Sequence, residues 1–305
     1  MSACFDCPRA CGVDREQGQV GFCRVGSELL VAKSMLHKWE EPCISGKGGA
    51  GTVFFAGCNL RCIFCQNCDI SHGGAGAPMT ESELERAIFS LAEAGAECIE
   101  LVTPTHYTSA LCRILERVRP RLDLPIVWNS GGYESVESLR RLDGLVDVYM
   151  PDLKYHSQEL ASRYSSAPDY PEVAMNAIEE MVRQVGKPQF CGELSPVTQN
   201  KLKKGVIVRH LILPSHRKDS IDVLNALARE IGTESVLLSL MSQYTPDFYQ
   251  NAVNSGTVHH IYSPLCRKIT AFEYDSVTQS ALDLGFDGYF QARSSATSEF
   301  TPEFK

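Results

Sequence analysis

The sequence predicts an α/β protein built as a partial β/α barrel of about six to eight units, preceded by an irregular cysteine-rich extension. Two observations carry this. Short apolar runs alternate with helix-period segments from residue 51 onward, the mark of parallel β/α units. Polar residues with chemical capability recur at the C-terminal ends of those runs, which favours a barrel over an open doubly wound sheet.

The elements follow in order. "GTVFFAGC" (51–58) reads as a strand, and "TESELERAIFSLAEAGA" (80–96) as a helix with Thr80 at its N-cap, acids in its first turn and a glycine near its end. "CIELVTP" (98–104) is the next strand and "YTSALCRILERVRPRL" (107–122) the next helix. "PIVWNSGG" (125–132), "ESVESLRRLDG" (134–144) and "VDVYMPDLKY" (146–155) keep the alternation. A helical stretch over 170–187 precedes the strand "GVIVRHLILP" (205–214), a helix over 219–231 and the strand "SVLLSLMSQ" (235–243). A helix over 268–284 and the strand "DGYFQA" (287–292) complete the set. The domain reading is therefore an extension over 1–49 and a barrel over 50–305. "GGAGAP" (73–78) is a flexible break, and the long connection 244–267 reads as a lid or binding loop. There is no internal repeat.

A chain of 305 residues buries a core without staples, so its 13 cysteines need another reason. They are too few for a disulfide scaffold. No basic n-region followed by an apolar stretch opens the sequence, and no run is long enough for a bilayer, which predicts a cytoplasmic, reducing environment. There, clustered cysteines bind metal or do redox chemistry. A net charge of −8 without a Lys/Arg block argues against nucleic-acid partners.

"FFAGCNLRCIFCQN" places Cys58, Cys62 and Cys65 in a C-x3-C-x2-C array after an apolar strand. Thiolates suit iron–sulfur clusters and zinc. A [4Fe–4S] cubane on three cysteines leaves one iron open to a chelating ligand, whereas a zinc site here would borrow a fourth ligand such as Cys68. The array, with Phe64 before its last cysteine, resembles the motif of the radical S-adenosylmethionine (SAM) superfamily. The resemblance runs from about Gly51 through the last strand. It implies a cluster on Cys58, Cys62 and Cys65 whose open iron binds SAM and reductively cleaves it to a 5′-deoxyadenosyl radical. "GCNLRCIFCQN", "VDVYMPDLKY" and "GVIVRHLILP" further resemble the pyruvate formate-lyase-activating enzyme group. "HKWEEPCISG", "TPTHY" and "SLMSQYTP" resemble its members with a cysteine-rich N-terminus.

That family binds the SAM amine with a "GGE" stretch after the second strand. Here "TPTH" stands instead, and Thr103, Thr105 and His106 are the candidates, their hydroxyls and carbonyls able to accept from an ammonium. His106 reads equally as a packed or capping residue. Asn129 and Ser130, beside a glycine pair that permits close approach, are candidate ribose or substrate contacts. Asp152 and Lys154 match the family's D-x-K pair and share one strand face, so Lys154 can meet the SAM carboxylate; a rim salt bridge is the alternative. Arg209, a charge within an apolar strand, demands a carboxylate partner. His210 points the other way and reads as structural.

Cys4, Cys7, Cys11 and Cys23 form a C-x2-C-x3-C-x11-C set, able to close a zinc site or hold a second [4Fe–4S] cluster. Cys43 is a site-facing or buried thiol; Cys98, Cys112 and Cys191 read as ordinary core or surface residues. Cys266 is a hydrogen-atom donor or a bystander. The function implied by the resemblance is hydrogen abstraction, with a flavodoxin- or ferredoxin-type electron donor and a glycyl-radical enzyme or peptide as substrate. Modification of a small metabolite, or a non-catalytic iron–sulfur or zinc interaction protein, remains open.

Overall fold

A computed structural model of the chain describes residues 3–72, 75–191, 200–254, 256 and 262–291. Seven strands run parallel in the order they occur: β2 (Ala50–Phe55), β4 (Ile99–Val102), β5 (Ile126–Ser130), β6 (Val148–Pro151), β8 (Leu202–Leu211), β9 (Leu237–Met241) and β10 (Gly288–Phe290). β2 and β10 are not paired to each other, so the barrel is partial. β2, β4, β5, β6 and β9 are buried along their whole length, which is why they read as unbroken apolar runs.

The helices lie where the 3.6-residue periods place them. Glu81–Glu93 starts with a capping box: Thr80 Oγ1 accepts from Glu83 N, and Glu83 reaches back to Thr80 N. Ala271–Asp283 repeats the device with Thr270 and Glu273. Tyr170–Val185 is joined by a helix the sequence reading passed over, Gln158–Ser165, capped by Ser157. No helix among the described residues is long and apolar enough to cross a membrane.

Three stretches differ from expectation. Within residues 1–49, Leu29–His37 is not irregular: it forms the nine-residue strand β1, antiparallel to β2, with His37 opposite Ala50. Its half-buried residues blur the period-2 pattern. In the expected flexible break, Ala77–Met79 forms β3 on the outer edge of β1, while Gly73 and Gly74 lie outside the described residues. In 244–267, Pro246–Asn254 is helical and Ser263–Cys266 a 3-10 turn. The rest of the expected loop, residues 255 and 257–261, lies outside the described residues, as does Ala292 of the last strand. A two-residue strand, β7 (Gln189–Phe190), pairs with β8.

Two core layers position the site. The larger packs the outer helices against the sheet. A smaller one fills the lower end of the barrel, where Cys43 and Ile44 meet Val127, Val148, Ile207 and Tyr289. Cys43 is thus a buried packing residue, and its short segment Pro42–Ser45 plugs the barrel from below.

Candidate active site

Above that plug a cavity of about 300 Å³ opens inside the barrel. Its upper wall carries Cys58, Cys62 and Cys65, from the loop that follows β2. The turn into this loop requires Gly57, whose φ is +81°; a Cβ there would lie 2.6 Å from Val25 and 2.7 Å from the carbonyl of Cys23. Leu60 N donates to Cys58 Sγ at 3.3 Å, Cys62 Sγ meets Ser165 Oγ at 2.9 Å, and Cys65 Sγ meets Ser71 Oγ at 3.3 Å. With the thiols held by these partners, no three His, Cys, Asp or Glu side chains are gathered tightly enough for a metal among the described residues. All three thiols border one cavity. Burial pushes Cys58 well above the usual thiol range and Cys65 up to about 12, so binding a metal displaces protons. Soft sulfur donors on one loop, with a backbone N–H aimed at a sulfur, fit an iron–sulfur cluster.

Below the loop, polar side chains link strand to strand. Thr52 Oγ1 (β2) donates to Glu100 Oε2 (β4) at 2.7 Å, and Asn129 Nδ2 (β5) donates to Glu100 Oε1 at 2.7 Å. Arg209 (β8) donates from Nη2 to Asn129 Oδ1 at 2.6 Å and from Nε to Asp152 Oδ1 at 2.9 Å. Lys154 Nζ meets Asp152 Oδ2 at 2.5 Å. Both charges expected of the D-x-K pair therefore face one cavity, and Arg209 has its carboxylate partner. Burial alone would raise the Asp152 carboxyl; the attraction of Arg209 and then Lys154 outweighs it and holds the group below its usual range. Burial opposes charge on Lys154 and Arg209 too, yet Asp152 raises both.

Thr103, Asn129 and Ser130 also line the cavity. Gly132, with φ +77°, lets the chain pass where a Cβ would sit 2.0 Å from the Asp152 carbonyl. Thr105 and His106 are elsewhere. Thr105 donates to the buried Glu134 at 2.8 Å, and His106 Nε2 bonds the Ala56 carbonyl at 2.9 Å. Both are buried and off the cavity wall. His210 is buried on the opposite face, bonded to Leu153 O at 2.6 Å.

The sequence reading missed Thr52, Glu100, Glu40 and Glu41. Glu100 carried a usable signal, a carboxylate inside the apolar run "CIELV", the same argument that singled out Arg209. Glu40 and Glu41 reach the cavity only through the antiparallel pairing of β1, which no local pattern announces.

The four N-terminal thiols lie close enough that Cys7 feels Cys23, Cys4 and Cys11 in turn, after the dominant effect of burial, which raises it to about 12. Phe22 N donates to Cys11 Sγ at 3.4 Å, and Arg15 Nη2 to Cys23 Sγ at 3.3 Å. This module docks on the back of the Cys58–Cys65 loop. Arg9 Nε donates to Asn59 O at 2.9 Å and Nη1 to Ser166 O at 2.7 Å, and Arg61 Nη2 reaches Phe22 O at 3.2 Å.

Comparison with known proteins bears on this arrangement. Residues 44–166, which contain the three-cysteine loop, match the family model of the 4Fe-4S single cluster domain. An uncharacterized protein of Methanocaldococcus jannaschii is 26% identical over 301 residues, covering 93% of this chain and 77% of that protein. The fold is similar to that of SuiB from Streptococcus suis, solved with its precursor peptide SuiA: TM-score 0.52, 10% identity, 77% of this chain. This chain spans 46% of SuiB's length. A spore photoproduct lyase variant, solved with dinucleoside spore photoproduct, has TM-score 0.51 at 10% identity, over 85% of this chain and 78% of that one. The likeness to both solved structures is one of fold.

Proposed function

We propose that the protein is a radical SAM enzyme whose reaction chamber is this cavity. One observation supports the reading above others: three thiols on one loop and the Asp152–Lys154–Arg209 cluster at the strand ends border the same cavity. Cys58, Cys62 and Cys65 hold a [4Fe–4S] cluster. When bound, the cluster supplies the electron that cleaves SAM to a 5′-deoxyadenosyl radical for hydrogen abstraction. Lys154 and Arg209, kept charged by Asp152, anchor the SAM carboxylate. Asn129 and Ser130 meet its ribose, and the Thr103 hydroxyl accepts from its ammonium. Thr105 and His106 support the Thr103 turn through their bonds to Glu134 and the Ala56 carbonyl. The barrel excludes water around the radical.

The resemblance to activating enzymes extends the proposal to a backbone glycine of a partner glycyl-radical enzyme as hydrogen source. A flavodoxin or ferredoxin delivers the electron in a reducing cytoplasm. Cys4, Cys7, Cys11 and Cys23 hold zinc or a second cluster, stiffening the back of the Cys58–Cys65 loop. The peptide bound to SuiB keeps a peptide substrate in view as the second reading.

The test is anaerobic reconstitution with iron and sulfide, then dithionite and SAM, with chromatographic detection of 5′-deoxyadenosine. Wild type forms it, and the Cys58→Ala, Cys62→Ala, Cys65→Ala triple variant does not. Zinc at these three cysteines with no cluster would overturn the proposal.

A further inference from the structure

The cavity has a second end, opposite the thiols, that the proposed chemistry leaves unused. β1 runs antiparallel to β2, so the chain leaves β1 level with Ala50 while the cysteine loop leaves β2 beyond Phe55, roughly 16 Å along the strand at about 3.3 Å per residue. Glu40 and Glu41 enter the cavity from that lower end, on the segment that plugs the barrel.

Charge does not balance there. Four carboxyls, Glu40, Glu41, Glu100 and Asp152, lie around two cations, Lys154 and Arg209; both cations are ion-paired to Asp152, and Arg209 alone also attracts Glu40, Glu41 and Glu100. Glu100 is satisfied by Thr52 and Asn129. Glu40 has Glu41 as its hydrogen-bond partner and His37 at 3.8 Å, and burial lowers the basicity of that imidazole. Burial, followed by the nearness of Glu100 and Glu41, raises the Glu40 carboxyl well above its usual range.

A second, independent feature borders the same cavity. Ser239 is fully buried on β9, in register with Arg209 on one side and Tyr289 on the other, and borders the cavity. Its hydroxyl has no hydrogen-bond partner among the described residues, and neither has Oε1 of Gln291, which borders the same space. Buried polar atoms in native folds are paired, so two such atoms facing one cavity mark the place of a ligand.

We propose that this end is the subsite for a cationic nitrogen of the substrate, a primary ammonium on a flexible aliphatic chain, received by Glu40, Glu41, Ser239 and the Gln291 carbonyl. The assignment to substrate rests on reading the cavity as a reaction chamber. An ammonium brings three donors and one positive charge, and these acceptors come from separate elements rather than one planar fork. Trp39, 65% exposed, borders the cavity mouth.

The test is calorimetric titration of the full-length, iron- and sulfide-reconstituted chain with n-butylammonium, n-butanol, butyrate and N-acetyl-lysinamide. n-Butylammonium is expected to bind saturably and at least tenfold more tightly than either n-butanol or butyrate. Glu41→Gln is expected to weaken it at least tenfold and Ser239→Ala about threefold, with thermal melts reporting the folding of each variant. Should the variants fail to fold, discrimination by the wild type decides. Binding of N-acetyl-lysinamide as well would point to a peptidyl lysine, and its exclusion to a free small amine. Equal affinity for n-butanol, no saturable n-butylammonium binding, an unchanged affinity in folded Glu41→Gln, or displacement of n-butylammonium by SAM would overturn the proposal. 5′-Deoxyadenosine formation is scored separately: its failure beside selective ammonium binding sinks the radical SAM reading alone, and its success without selectivity sinks the subsite alone.

Discussion

Asp152 and Arg209 are bound twice. Their backbones form an isolated parallel bridge three residues beyond the last β6–β8 pair, Tyr149 with Val206, and their side chains meet at 2.9 Å inside the barrel. Both side chains are about five-sixths buried, so the pair stays in place only while its charges balance. Removing one partner of a buried ion pair is costly because the other is left charged and dry. Asp152→Asn strands Arg209 and Lys154 together and is expected to cost about 3–5 kcal/mol of unfolding free energy. Urea unfolding measures it, and a loss under about 1 kcal/mol would show that water reaches the pair.

A pH dependence follows from Glu273. The Arg267 guanidinium, set against burial and joined by hydrogen bonds from Thr270 N and Ser215 N, holds its carboxyl down at about 2. A depressed folded pKa contributes stability above the unfolded value near 4.5, and that stability drains away as pH falls toward about 2. Thermal melts of wild type are therefore expected to drop between pH 5 and 2.5 (about 2.5 units of acidification) more steeply than those of Glu273→Gln. Equal slopes would place the acid sensitivity elsewhere.

The fold was legible because parallel strands buried on both faces leave unbroken apolar runs, and all seven appear in the sequence where the barrel has them. The cysteine loop was legible for a different reason: its spacing is local, so no tertiary knowledge is needed. Arg209 announced itself as a charge in an apolar strand. β1 stayed hidden because its partly exposed residues carry no clean alternation, and with it went Glu40 and Glu41, whose arrival in the cavity depends on an antiparallel register. Thr105 and His106 adjoin Thr103 in sequence, yet a 3-10 turn over Thr105–Tyr107 carries them off the cavity wall that Thr103 lines.

His106 and His210 are both fully buried, and burial lowers each to about 4 despite a hydrogen bond to a backbone carbonyl. The unfolded chain takes up these protons near pH 6.5. Between about 6.5 and 4 the unfolded state thus binds more protons, so stability falls as pH falls through that window. His106→Gln is expected to flatten the urea-midpoint profile between pH 7 and 5, about half of the effect of the double variant with His210→Gln. A profile unchanged by both substitutions would show that neither ring is held neutral.

The last expectation concerns the joint between the N-terminal cysteine module and the loop that carries Cys58, Cys62 and Cys65. Arg9 is its pin: the guanidinium lies 3.9 Å from the Phe22 ring centre while donating to Asn59 O and Ser166 O. Asp6 adds a second tie by accepting from Ser109 and pairing with Arg141 at 2.9 Å. These contacts join residues far apart in sequence, so their loss loosens the module without cutting into the barrel core. Arg9→Ala is expected to weaken docking by about 1–3 kcal/mol. Hydrogen exchange at residues 4–25 should then quicken by one to two orders of magnitude or so, with β4–β6 protection retained. Uniform acceleration across the barrel would instead make the module an integral part of the folding unit, and unchanged exchange would show that Asp6 and the Gly57 turn hold it alone.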